Sequence, residues 1–113
     1  MSVSGILHAA GIFANGMLEN QSVDNFGRGC DAKVLGGWSL HVCSMDHRVQ
    51  TFITYSSIAA SLGSPGQTNY SYANAWLDAL TRTRGEGGFP SASPQWGPWD
   101  SVGLAARHVS ANR

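Results

Sequence analysis

Charge is what this sequence has least of. Only 12% of its 113 residues are Asp, Glu, Lys or Arg, about half the ~25% usual in a soluble domain. Seven acidic side chains balance seven basic ones, so no basic face is available to a phosphate backbone and no nucleic-acid partner is expected. No run of about 18 apolar residues occurs, which excludes a transmembrane span. The mildly apolar start has no positive n-region and is interrupted by His8 and Gly11, so it does not read as a signal peptide. There are only two cysteines, Cys30 and Cys43. On one helix they would stand ~20 Å apart, beyond the disulfide reach of about 7 Å, so reduced thiols in a cytoplasmic setting are expected. His41, Cys43 and His47 have no CxxC or HxxxH frame around them, and no metal site is expected. The Gly-rich dinucleotide fingerprint GxGxxG is missing, as are internal repeats and low-complexity segments.

Glycine, by contrast, is plentiful at 14 residues, and four Trp, three Tyr and four Phe supply aromatic bulk. A neutral, aromatic-containing chain does not have the composition of a disordered one. Its length suffices for one small domain and not for two. An exterior so poor in charge and rich in Gly predicts that other polypeptide covers much of it.

Along the chain, the short apolar run 3–8 reads as a buried strand. Gly11, Asn15 and Gly16 mark a loop after it. Ser22 is a natural N-cap, with Asp24 in the first turn, for a helix over 23–43. That helix contains Gly27, Gly29, Gly36 and Gly37, each costing up to ~1 kcal/mol relative to Ala, which predicts close packing on a partner. Residues 49–55 are β-branched and aromatic, a strand. A loop is expected over 56–66. A second helix over 67–84 follows, striped by Ala73, Trp76, Leu77 and Leu80. Residues 89–96 form a third strand weakened by Pro90 and Pro94, 97–100 a loop, and 102–113 an undefined tail. Strands alternating with helices of this length predict a parallel α/β sheet.

Chemistry resides in a few polar residues. Lys33 is the only lysine and sits between Ala32 and Val34 in the helix. Ser56 and Ser57 follow the second strand, at the carboxyl end where open α/β sheets gather ligands. Tyr70 and Asn74 are four apart on one helix and point the same way. Each has an everyday reading: a solvated Lys, a turn-forming Ser, a Tyr at the core edge. Together they suit carbonyl chemistry. An adjacent ammonium lowers the pKa of a phenol, normally near 10, and a Ser hydroxyl fixes a carbonyl oxygen for hydride attack.

Leu7-His8-Ala9-Ala10-Gly11, Ala32-Lys33-Val34, Tyr55-Ser56-Ser57, Gly63-Ser64-Pro65-Gly66-Gln67, Asn69-Tyr70, Ala73-Asn74-Ala75, Leu77-Asp78-Ala79-Leu80 and Trp96-Gly97-Pro98-Trp99 stand in unbroken order over 5–106. This pattern resembles the ketoreductase domain of modular and iterative polyketide synthases. Such domains have short-chain dehydrogenase/reductase folds and also occur in animal-type fatty acid synthases. The resemblance implies a Rossmann-like, doubly wound parallel sheet. It also implies a catalytic set of Lys33, Ser57, Tyr70 and Asn74: Ser57 binding the carbonyl, Tyr70 donating the proton, and Asn74 where simpler members carry Lys. Tyr55 and Tyr72 are the tyrosines set aside. His8, Ala9, Ala10 and Gly11 would line the ribose side of the cofactor, with Lys33 and Tyr70 beside it and Trp96, Gly97 and Pro98 on the nicotinamide side. The implied reaction is hydride transfer from NADPH to the β-keto group of a phosphopantetheine-bound acyl chain on an acyl carrier protein, within a polypeptide of several synthase domains.

The substrate side is assigned to Asn15, Leu62, Pro65 and Asn69. The Leu-Asp-Asp motif of B-type ketoreductases is replaced by Phe13-Ala14-Asn15, but their Pro and Asn are matched by Pro65 and Asn69. The A-type Trp is replaced by Leu62. These marks predict a B-like product with a D-configured hydroxyl. The first strand resembles the fourth of the seven-stranded family sheet. Residues 1–113 are therefore expected to be the C-terminal, catalytic part of one domain, without its nucleotide-binding half, and to bind NADPH weakly or not at all alone. Two other readings stay open: a non-catalytic ketoreductase remnant supporting neighbouring domains, and a free-standing short-chain dehydrogenase.

Overall fold

The computed structural model describes residues 2–99 together with 102, 103, 106 and 107. Most of the 102–113 tail thus lies outside the described residues. The centre of the fold is one extended segment holding strands β2 (Thr51–Thr54) and β3 (Ser56–Ser57). β1 (Gly5–His8) pairs with β2 in parallel, Gly5 opposite Thr51 and His8 opposite Thr54. β4 (Gln95–Trp96) pairs with β3, also in parallel, with Ser56 opposite Gln95. The Tyr55 amide donates to His8 O, whereas those of Thr54 and Ser56 donate to Ala92 O and Pro94 O. Alternate amides of a strand point to opposite edges, so the central segment is flanked by β1 on one side and by 92–96 on the other. Phe52 and Thr54 on it are fully buried.

The expected third strand over 89–96 shrinks to two residues and one isolated bridge, Ile53 to Ala92. Pro90 and Pro94 have no N–H to give to a ladder; Pro94 contributes only its carbonyl. The expected loop over 56–66 instead holds β3 and a single-turn helix, α2 (Ala59–Leu62).

Two long helices cover the sheet. α1 (Val23–Ser44) begins at Ser22, whose Oγ accepts from the Asn25 amide at 3.1 Å, satisfying one of the unpaired N–H groups of the first turn. α3 (Thr68–Glu86) packs along it, with Asn69 against Gly29 and Leu77 against Gly37. Close approach needs glycine at two points. A Cβ at Gly29 would overlap the Asn69 side chain, and one at Gly37 would lie 3.0 Å from Leu77 Cδ2. Gly27 differs from that expectation, for nothing lies within 4 Å of its missing Cβ. The opposite face of α1 carries exposed Leu35, Trp38 and Val42, in line with an exterior poor in charge. Among the described residues, no helix is long and apolar enough to cross a membrane, and no three His, Cys, Asp or Glu side chains cluster as metal ligands.

Candidate active site

At the carboxyl end of the central segment a cavity of about 580 Å³ opens between α1, α3 and the chain after β4, a volume in the range of small-molecule sites. Lys33 enters from the middle of α1. Only 4% of it is exposed, and its Nζ donates to the Tyr55 carbonyl at 2.6 Å. Burial pulls its pKa from 10.5 down to about 8, with the negative charge of Asp78 opposing that fall. The ammonium lies 5.8 Å from the centre of the Tyr70 ring. Tyr70, half-buried at the start of α3, is held edge-on by Phe13, ring centres 5.0 Å apart at 84°.

The two serines after β2 differ in what their hydroxyls do. Ser56 donates to the Asn74 carbonyl at 3.2 Å. Ser57 accepts from the Ala59 amide at 3.1 Å, which occupies a lone pair and leaves its O–H to donate to something in the cavity. Asn74, fully buried, donates from Nδ2 to the Tyr70 carbonyl at 2.8 Å, while its Oδ1 has no hydrogen-bond partner. A buried acceptor left unpaired costs about 1–3 kcal/mol, a cost that marks a place for a further donor such as a water.

Of the residues assigned from the resemblance, the cavity wall contains Lys33, Ser57 and Tyr70, then Ala9, Gly11, Trp96, Gly97 and Pro98 around them, and Leu62 at its mouth. Others lie elsewhere. Buried His8 shares a 3.1 Å hydrogen bond with the Lys33 carbonyl, fixing the backbone of α1 rather than lining the cavity. Ala10, Asn15, Pro65 and the catalytic candidate Asn74 also lie off the wall; Asn15 takes a long 3.4 Å bond from the Gln67 side-chain amide. Asn69, assigned to the substrate side, is fully buried with its Nδ2 on Ala14 O at 2.9 Å and its Oδ1 receiving the Tyr70 amide. It ties the 11–16 loop to the first turn of α3. Tyr72 faces outward against Phe26, whereas Tyr55 does reach the wall, its ring tilted on Trp96. Phe13 and Gln67 are wall residues that were given no role, although Phe13 begins the stretch matched to the Leu-Asp-Asp motif and Gln67 ends the Gly63–Gln67 motif.

The cavity combines an aromatic and small-residue wall with one ammonium, a hydroxyl and a phenol. Lys33 is its only cation among the described residues.

Residues 1–101 match the family model for the KR domain. Among curated proteins, the chain is 38% identical over 109 residues to the phenolphthiocerol synthesis polyketide synthase type I Pks15/1 of Mycobacterium marinum, covering 96% of this chain and 5% of that protein. To the protein of the same name from Mycobacterium bovis it is 39% identical over 109 residues, covering 96% and 5%. Among solved structures it resembles the first ketoreductase of the tylosin synthase with a TM-score of 0.87 and 36% identity, over 91% of this chain and 23% of that one. An A1-type ketoreductase gives 0.90 and 30%, over 96% and 23%. The chain thus spans about a twentieth of these curated relatives and under a quarter of these solved chains. By its sequence, its parallel α/β fold and these likenesses, the chain belongs to the KR-domain family, the ketoreductases of polyketide synthases.

Proposed function

We propose that the polypeptide carrying this chain reduces the β-keto group of an acyl chain bound as a thioester to the phosphopantetheine arm of an acyl carrier protein, working in the cytoplasm among other synthase domains. The observation behind this is the convergence of Lys33, Ser57 and Tyr70 on one cavity. NADPH would supply a hydride to the carbonyl carbon. The Ser57 hydroxyl donates to the carbonyl oxygen, and the Tyr70 phenol gives that oxygen its proton, yielding the β-hydroxyacyl thioester. Lys33, charged below about pH 8, stabilises the phenolate left behind. Asn74 braces the first turns of α3 through the Tyr70 carbonyl.

Structures of A-type and A1-type ketoreductases superpose on this chain with TM-scores of 0.87 and 0.90, so the backbone alone does not argue for a B-like product. A B-like outcome is supported by Pro65 and Asn69 in the sequence and by Leu62 at the cavity mouth.

Tyr70→Phe in the parent enzyme tests the reading, with a carrier-bound β-ketoacyl substrate and absorbance of the reduced dinucleotide as the signal. A rate loss of at least ~100-fold is expected, and chiral chromatography of the wild-type product should give the D-configured hydroxyl. Undiminished reduction by Tyr70→Phe would favour a structural remnant. Equal rates on free and carrier-bound ketones would favour a free-standing dehydrogenase.

A further inference from the structure

Asp78 lies beyond the catalytic set yet joins more elements around the cavity than any member of it. α3 places Tyr70, Asn74 and Asp78 at four-residue intervals, on one side of the helix. One carboxylate oxygen accepts from Ser93 Oγ at 2.6 Å, and Ser93 Oγ in turn accepts from Thr54 Oγ1 at 2.9 Å. The other accepts from Gln95 Nε2 at 2.8 Å, and Gln95 Oε1 accepts from Ser61 Oγ at 2.8 Å. A single carboxylate therefore binds the residues on both sides of Pro94. Through them it reaches the central strand at Thr54 and α2 at Ser61.

That position matters because the backbone there is thinly held. β4 has two residues, paired with β3 only at Ser56–Gln95 and Ser57–Trp96, and that short ladder is flanked by Ser56 N to Pro94 O at 3.2 Å and Ile58 N to Trp96 O at 3.0 Å. Trp96, Gly97 and Pro98 then line the same cavity as Lys33 and Tyr70. We infer that Asp78 is a positioning residue, whose carboxylate clamps the 93–98 segment to the helix that carries Tyr70 and so sets the width of the cavity. Its charge has a second effect, since it opposes the loss of the proton from buried Lys33. Among the described residues, the other titratable groups near Lys33 include Tyr70 on α3, Tyr55 on the central segment, His8 on β1 and Cys30 one turn earlier on α1. Among the described residues, Asp78 is the carboxylate whose charge acts on Lys33.

The inference rests on the reductase reading for its effect on turnover, but the clamp is measurable without turnover. Amide hydrogen exchange of the parent polypeptide, read on peptides covering 56–62 and 91–99, is compared for wild type, Asp78→Ala and Asp78→Asn. Asp78→Ala removes both acceptors, and exchange in these two segments should rise about tenfold while α1 and β1 stay unchanged; the KM for the dinucleotide should rise by about tenfold. In Asp78→Asn the amide oxygen keeps Ser93 and the Gln95 amide turns over, so exchange should stay near wild type. The basic limb of its pH–kcat profile should move down by ~0.5 pH unit, because the opposing charge is gone. Should Asp78→Ala fail to fold, Gln95→Leu, which removes the arm that reaches Ser61, must raise exchange at 91–99 and at 56–62 while α1 and β1 stay unchanged. Unaltered exchange in the 91–99 peptide, or a uniform rise across the domain, overturns the clamp. A wild-type parent that holds this exchange pattern but reduces no ketone overturns the reductase reading and leaves the clamp standing.

Discussion

The interface between α1 and α3 buries two cations and treats them in opposite ways. Lys33 and Arg84 are 4% and 2% exposed. Lys33 has one hydrogen bond, to a backbone carbonyl, and faces a cavity. Arg84 is sealed between aromatic rings, its guanidinium 3.8 Å from the Phe52 ring centre and 5.6 Å from that of Phe89, with bonds to His41 Nδ1 at 2.8 Å and Ser44 Oγ at 3.1 Å. Burial lowers both pKa values. A guanidinium starts so far above neutrality that it stays charged, whereas the lysine arrives at about 8, within reach of physiological proton exchange. Similar burial thus yields a structural cation at one end of the interface and a titratable one at the other. The difference lies in the starting pKa and in what each group faces.

The largest effect is expected from Arg84→Ala. It empties the space between Phe52 and Phe89 and strips Ser44 and His41 of their donor, a loss of about 3 kcal/mol in denaturant unfolding of the parent domain. Turnover of the folded enzyme should be unchanged. Reduced turnover at full stability would erase the distinction between the two cations.

Lys33→Met should act in the reverse sense, abolishing reduction while making the domain more stable. The displacement from 10.5 to about 8 corresponds to roughly 3 kcal/mol of charge burial. The Tyr55 carbonyl left without its donor takes back part of it, for a net gain of about 2 kcal/mol at pH 7. Because the folded pKa lies below the unfolded one, that penalty is complete below pH 8 and fades as the pH rises to 10.5. Wild-type stability should therefore climb across this window, and the slope attributable to Lys33 should vanish in Lys33→Met.

The smallest effect concerns His41. Burial and the neighbouring Arg84 charge hold its pKa below 6.5. The unfolded chain then takes up the proton first, and stability is lost as the pH falls below 6.5. His41→Asn keeps an acceptor for Arg84 and should flatten this acid slope. An identical slope in the variant would move its origin to another group.

Much of the fold was legible because its signals are local. Ser22 and Asp24 announce α1 within one residue of its observed start, and the β-branched run announces the central strand. The single turn of α2 escaped, since four residues carry no periodicity to read. The strand expected over 89–96, already weakened by its prolines, is cut to Gln95–Trp96 because Pro90 and Pro94 have no amide to give to a ladder. In the site, the order of Lys33, Ser57 and Tyr70 was legible, and the structure draws them to one cavity. The inward turn of Asn69 was not, because it depends on the Ala14 carbonyl, 55 residues away in sequence. Nor was the reach of Asp78, whose partners lie 15 and 17 residues further on.

By itself, the sequence determined the family, the alternation of parallel strands and helices, and the kinds of functional group available, including a lone lysine in a chain with little charge. Those properties follow from residue identity and short-range spacing. Only the tertiary structure decided which serine keeps a free hydroxyl, which polar side chains are spent on backbone carbonyls, and that Lys33 titrates near pH 8 while Arg84 stays locked. Each of those outcomes is set by desolvation and by partners brought from distant parts of the chain, and such interactions exist only once the helices close over the sheet.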